Sequence, residues 1–287
     1  MICTAPNIMM GKIYEILDCK LEISADFEWH ERDNLKPFIS EGNADCCFAF
    51  RRGISKNSNE LMYMGKEKWV TEYKDSSTGH LVRKYACYSE QDAIAWQRNE
   101  KFWEVEVSDE HFEKLIKSDI LSFIPMERVI NDISGIMLHS AVVDWNGRGI
   151  LFTGPSGIGK STQASLWEKY ENARILNGDR SGIRKKEGRF HAYGLPYAGS
   201  SNIYINDSVP IQAIVVLQQA KENRITQLRQ IEAFTKIYSE STIIPWDTEF
   251  VEKHSNIIQE LVSQVPVYLL QCRPDLEAVA VLKEKIN

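Results

Sequence analysis

Residues 140–162 read SAVVDWNGRGILFTGPSGIGKST. Two apolar runs, AVV and ILF, flank Asn146-Gly147, a pair whose members both tolerate the positive φ of a type I′ turn, so the stretch opens as a two-residue β-hairpin. Its second arm runs directly into Gly154, Pro155, Ser156, Gly157, Ile158, Gly159, Lys160, Ser161 and Thr162, a match to G-x-x-x-x-G-K-[ST]. A helix is expected over roughly 160–170, so the glycine-rich loop joins a strand to a helix and is delivered by an antiparallel hairpin.

This residue pattern suits a phosphate chain. Glycines let successive backbone N–H groups turn inward around phosphate oxygens, and the positive end of the following helix dipole adds to the attraction. Lys160 brings a point charge for the outer phosphates, and the Ser161 hydroxyl suits Mg²⁺, a hard cation that bridges β- and γ-oxygens. A bound nucleotide also needs an acid for that cation, commonly at the end of a neighbouring strand. Asp179, closing ARILNGD, is the best placed candidate. Arg180 beside it can meet a phosphate or pair with an acid. His139 precedes the hairpin, within reach of the γ-phosphate, and reads equally as a hydrogen-bonded structural histidine. Gly199, Ser200 and Ser201, after the Tyr193-Gly194 strand, are candidates for a flexible acceptor-side flap, or an ordinary turn.

Outward from the loop, the 287 residues suggest two domains. From Cys19 to Trp29 the odd positions are apolar and the even ones charged except Ser24, the mark of a half-buried strand. CCFAF, ELMYM, KWVTEY, LVRKYACY and FWEVEV follow as further short strands. Residues 1–107 are therefore expected to form an antiparallel β-rich domain. Residues 108–135 read as a helical connector, with a helix opened by Pro125 over MERVINDISGIM, and 136–287 as a nucleotide-binding domain. There the expected order after the loop helix is strand, hairpin, strand, hairpin arm, two helices, strand and a closing helix after Pro274. The overall fold class is α+β.

The composition is that of a globular protein, 43% hydrophobic and 26% charged. A net charge of -6 argues against nucleic acid as a partner. No run approaches the ~20 apolar residues of a membrane span, and no signal peptide is evident, so the expected compartment is the cytoplasm and no membrane partner is expected. Six cysteines, Cys3, Cys19, Cys46, Cys47, Cys87 and Cys272, fall in no C-x-x-C spacing and read as reduced thiols.

Together, LHSAVVDWNGRGILFTGPSGIGKST and LNGDRSGIRKKEGRFHAYGLPYAG resemble the HPr kinase/phosphorylase and phosphoenolpyruvate carboxykinase-like superfamily over about residues 136–220. The resemblance implies a mixed sheet reached through antiparallel strands, with Leu138-His139 matching an LH pair that gives His139 a catalytic role. The family's acidic pair is reduced here to Gly178-Asp179, so Asp179 would serve as magnesium ligand, acceptor base, or both. AYGLPYAG at 192–199 lacks the acid and arginine of the HPr kinase signature, so neither HPr nor phosphorylase activity is expected. Carboxykinase activity is not expected either, because the first 135 residues carry no motif for it. Many such proteins are oligomers, which admits a homo-oligomer here.

The expected function is transfer of the γ-phosphoryl group of Mg-ATP to a hydroxyl of a protein, peptide or small molecule, with Asp179, His139 and Lys160 catalytic. Gly154 to Thr162 and Arg180 would hold nucleotide, and Ser161 and Asp179 the Mg²⁺. The alternative is a catalytically silent nucleotide-binding regulator.

Overall fold

The computed structural model describes residues 11–55, 60–110, 112–117, 120–197 and 199–287. Cys3, Ala198 and the side chain of Ser200 lie outside this description. The chain divides at Met126 into two compact units.

Among the described residues the first unit holds nine strands: β1 (Lys12–Ile16), β2 (Cys19–Ala25), β3 (Ile39–Ser40), β4 (Cys46–Arg52), β5 (Leu61–Glu67), β6 (Val70–Asp75), β7 (Leu81–Tyr85), β8 (Ala93–Asn99) and β9 (Phe102–Val107). They form one sheet in the order β3-β1-β2-β4-β9-β8-β7-β6-β5. The sheet is mixed, which corrects the expectation of an antiparallel domain: β4 runs parallel to both β2 and β9. Side-chain alternation is the same in either direction, so it says nothing of strand polarity. The informative signal was the unbroken apolar run CCFAF in β4, where Phe48, Ala49 and Phe50 are all buried. Such a run marks a strand covered on both faces, as parallel strands usually are. Three strands went unread, KIYEI of β1, the two-residue β3 and AIAWQRN of β8.

After α1 (Phe112–Lys117), α2 (Met126–Asp132) stops short of the expected helix end at Met137. Ser134 takes a left-handed φ of 59° and Gly135 starts β10 (Gly135–Leu138). A Cβ on Gly135 would meet the Ile183 carbonyl at 3.0 Å, so close strand pairing wins over helical continuation.

The second sheet adds β11 (Ser140–Trp145), β12 (Arg148–Thr153), α3 (Lys160–Glu171), β13 (Arg174–Asn177), β14 (Ser181–Lys186), β15 (Arg189–Gly194) and β16 (Ser208–Gln219). β17 (Arg224–Gln227), α4 (Gln230–Glu240), α5 (Thr248–Gln264), β18 (Val267–Cys272) and α6 (Leu276–Ile286) complete it. The strand order is β10-β14-β15-β16-β12-β11-β13, with β18 also on β16 and β17 on β18. The β11–β12 hairpin turns at Asn146 (φ 54°) and Gly147 (φ 75°), both positive as the type I′ turn requires. β16 lies parallel to β12 and to β18, while its first residues pair antiparallel with β15.

The apolar runs of the second unit follow from burial on both faces. In β12, Ile150 and Phe152 join a core with Trp145, Trp167 of α3 and Leu282 of α6, whereas Leu151 joins one with Ile237 of α4 and Ile258 of α5. β16 divides likewise: Ala213, Val215 and Leu217 belong to the first core, Ile214 and Val216 to the second. Helices therefore cover both faces of the strands that carry the loop. No helix among the described residues is long and apolar enough to cross a membrane.

Candidate active site at the glycine-rich loop

The loop leaves β12 at Thr153 and enters α3 at Lys160. Gly154, Gly157 and Gly159 have φ of 140°, 77° and 114°, conformations that L side chains rarely adopt. A Cβ added at Gly157 or Gly159 would meet nothing within 4 Å, so the loop presents an open concave backbone at the start of a 12-residue helix. Lys160 folds back across it: Nζ donates to the carbonyls of Gly154 at 2.8 Å and Pro155 at 3.1 Å. Burial holds the Lys160 ammonium below its usual range, opposed by the negative charges of Glu240 and Asp179.

Ser161 Oγ donates to the Gly178 carbonyl at 3.4 Å, which brings the start of α3 against the turn after β13. That turn is built by Asn177, which is fully buried. Its Oδ1 accepts from the backbone N–H of Asp179 at 2.8 Å and Arg180 at 3.0 Å, and its Nδ2 donates to the carbonyls of Leu195 and Tyr197. Asp179 is thus aimed by a side chain whose own bonding is satisfied. A Cβ on Gly178 would lie 2.4 Å from Ser201 Oγ, and one on Gly199 would lie 2.7 Å from Asp179 Cγ. The short turn Gly199–Ser201 therefore packs on Gly178-Asp179, and it occupies the space that a second adjacent acid would need.

A second carboxylate arrives from elsewhere. His139 Nε2 lies 3.6 Å from Asp179 Oδ1, and its Nδ1 lies 3.7 Å from Glu240 Oε2 in the last turn of α4. Backbone bonds fix this arrangement: His139 N–H donates to the Glu240 carbonyl at 2.9 Å, and Thr153 Oγ1 donates to the His139 carbonyl at 2.9 Å. An isolated bridge between Leu138 and Ser241 ties the end of α4 to β10. The His139 ring contact, followed by the charges of Arg180 and Lys160, holds the Asp179 carboxyl below its ordinary range despite partial burial. Arg180 is half-exposed, with Nε 3.9 Å from Asp179 Oδ2 and its guanidinium 6.0 Å from the Tyr197 ring centre.

The structure thus brings together Lys160, Ser161, Asp179, His139 and Arg180 beside the loop, and adds Asn177 and Glu240. Glu240 had one faint sequence signal. An acid in the last turn of a helix faces the negative end of the dipole, a local cost that invites a functional reason. For Mg²⁺ the donors are suitable: Ser161 Oγ and an ionised Asp179 are hard oxygens, and this ion characteristically takes one or two carboxylates and completes its shell with phosphate and water.

Residues 103–276, more than half of the chain, match the family model described as SynChlorMet cassette protein ScmC. The chain belongs to that family. The match to the ScmC family covers the loop and every residue of the site just described. No curated protein matches the chain in sequence. Among solved structures it is similar to the Hpr(Ser) kinase/phosphatase from Coxiella burnetii, at 11% identity and a TM-score of 0.30, over 52% of this chain and 87% of that one.

Proposed function

We propose that this ScmC-family chain is a Mg-ATP-dependent phosphotransferase that delivers the γ-phosphoryl group to a hydroxyl of a protein, peptide or small molecule. One observation carries the reading: an ionised Asp179, braced by His139 and Asn177, stands beside the glycine-rich loop and its lysine. Backbone N–H groups of Gly157 to Thr162 hold the phosphates, and Lys160 exchanges its two carbonyl partners for phosphate oxygens. Ser161 and Asp179 would hold Mg²⁺, which would supply positive charge for the outer phosphate oxygens. Asp179 orients the incoming hydroxyl and takes its proton, while His139 keeps the carboxylate in position and Glu240 keeps His139 in position. The turn at Gly199–Ser201, resting on Asp179, borders the acceptor's approach. Among the described residues Cys19, Cys46, Cys47, Cys87 and Cys272 form no disulfide.

A second reading, a nucleotide-binding regulator without transfer, has one observation in its favour: His139 and Arg180 already engage both oxygens of Asp179.

Both readings meet one experiment, incubation of the protein with γ-labelled ATP, Mg²⁺ and a clarified bacterial extract. A labelled product should form with the wild type and be lost with Lys160→Ala, and Asp179→Asn should lower its rate about 10²-fold or more while nucleotide still binds. No labelled product, together with Mg²⁺-dependent ATP binding, selects the regulator.

A further inference from the structure

Asn177 ties the turn that bears Asp179 to a second turn that bears a hydroxyl. Its Oδ1 accepts from the N–H groups of Asp179 and Arg180, while its Nδ2 donates to the carbonyls of Leu195 and Tyr197, on the approach to Gly199–Ser201. The chain leaving that turn is fixed to the same strand: Tyr204 makes an isolated bridge with Asn177, and Ile205 N–H donates to the Leu176 carbonyl at 3.1 Å. One fully buried amide and the end of β13 thus clamp the turn from both sides and hold it against the acid.

The turn brings a hydroxyl onto Gly178-Asp179 itself. Ser201 Oγ lies 2.4 Å from where a Cβ on Gly178 would stand, and the Gly178 carbonyl accepts from Ser161 of the loop. Gly199, at a left-handed φ of 53°, lets the backbone rest on the carboxylate: a Cβ there would meet Asp179 Oδ1 at 3.1 Å. A side chain at either glycine would push Ser201 away. Ser201 keeps partial exposure, and its Oγ accepts from the Ile203 N–H at 3.4 Å. A hydroxyl that receives a phosphoryl group must stand near both the carboxylate that takes its proton and the loop that holds the phosphates, and Ser201 is held beside both.

We propose that Ser201 is a phosphoryl acceptor, so that the protein phosphorylates itself in cis. The inference rests on the phosphotransferase reading of the site and names one hydroxyl that it serves. Ser201 Oγ attacks the γ-phosphorus of ATP and Asp179 takes the hydroxyl proton. The bond between the γ-phosphorus and the bridging oxygen breaks, and its electron pair leaves with ADP. Because one side chain holds acceptor and base together, the step is first order in protein.

Purified wild type incubated with γ-labelled ATP and Mg²⁺, without extract, tests this when the site of the phosphate is mapped by mass spectrometry. Phosphate should map to Ser201 and form at a rate unchanged by about tenfold dilution of the protein. Lys160→Ala should lower that rate about 10²-fold or more, which separates self-phosphorylation from a contaminating kinase. Ser201→Ala should lose the label while still binding Mg-ATP. Phosphate on any other residue, a rate constant that falls with dilution, or no self-labelling while an acceptor in the extract is labelled would overturn Ser201 as a cis acceptor and leave the phosphotransferase reading standing. No label in either incubation would overturn both.

Discussion

Glu240 stands in the last turn of α4, where a carboxylate opposes the helix dipole, and its oxygen lies 3.7 Å from His139. It also acts on Lys160, whose ammonium burial has already weakened and whose proton Glu240 and Asp179 help to retain. Removing Glu240's charge lets the lysine lose its proton at a lower pH. Glu240→Gln should therefore shift the alkaline limb of ATP binding downward in pH, with affinity near neutrality little changed. An unmoved limb would show that Glu240 has no part in the site. The acid limb answers to Asp179: its carboxyl is depressed chiefly by the His139 contact, so His139→Gln should raise its pKa and move the acid limb of phosphoryl transfer upward. A limb that stayed in place would remove His139 from its positioning role.

At the scale of elements, α4 and α5 pack around a histidine with no role in the site. His254 is 1% exposed and stacks on Phe250 at 5.5 Å, its Nε2 lies 2.7 Å from Ser241 Oγ, and its Nδ1 is buried without a partner. Burial lowers its pKa from 6.5 to about 4. The unfolded chain thus binds a proton that the folded chain refuses between those values. Stability is lost as pH falls from about 6.5 toward 4, by roughly 3 kcal/mol for this group. Urea unfolding at pH 7 and pH 4 should show a smaller difference for His254→Gln than for the wild type. Equal differences would mean that the histidine is hydrated. Because Ser241 follows Glu240 directly, this packing also holds the end of α4 where Glu240 meets His139. The elements were legible where their signals were local: Asn146-Gly147 marked its hairpin and Pro274 the approach to α6, whereas the caps that Asp247 and Asp275 provide to the N–H groups of Phe250 and Ala278 went unread. β10 was lost to the helix before it because GIM continues an apolar helical spacing, and only the close packing at Gly135 contradicts it.

Over the whole molecule, the loop could be read in advance because nine successive residues carry it, whereas the site around it was legible only in part: Asp179, Arg180 and His139 were named, Asn177 and Glu240 were not. Asp179, His139 and Glu240 come from three separate stretches, and periodicity does not state which strand ends lie side by side. The two parallel neighbours of β4 stayed hidden for the same reason. In the second unit β16 is bonded on both sides, to β12 and β18, and its residues Ala213 to Leu217 are all buried. Their amides should be among the slowest to exchange with deuterium, at rates set by global unfolding, while those of β17, whose Arg224, Thr226 and Gln227 are exposed, should exchange sooner. Fast exchange at Ile214 to Val216 would refute this central place for β16.

These pairings also bear on synthesis. Phe152 lies beside Val215 and Val215 beside Tyr268, so the strand that delivers the loop gains its second neighbour, β16, only after long intervening segments have left the ribosome, and β16 gains β18 later still. The nascent chain must carry the apolar strand β12, paired on its β11 side alone, through that interval, an exposed strand edge of the kind that chaperones shield.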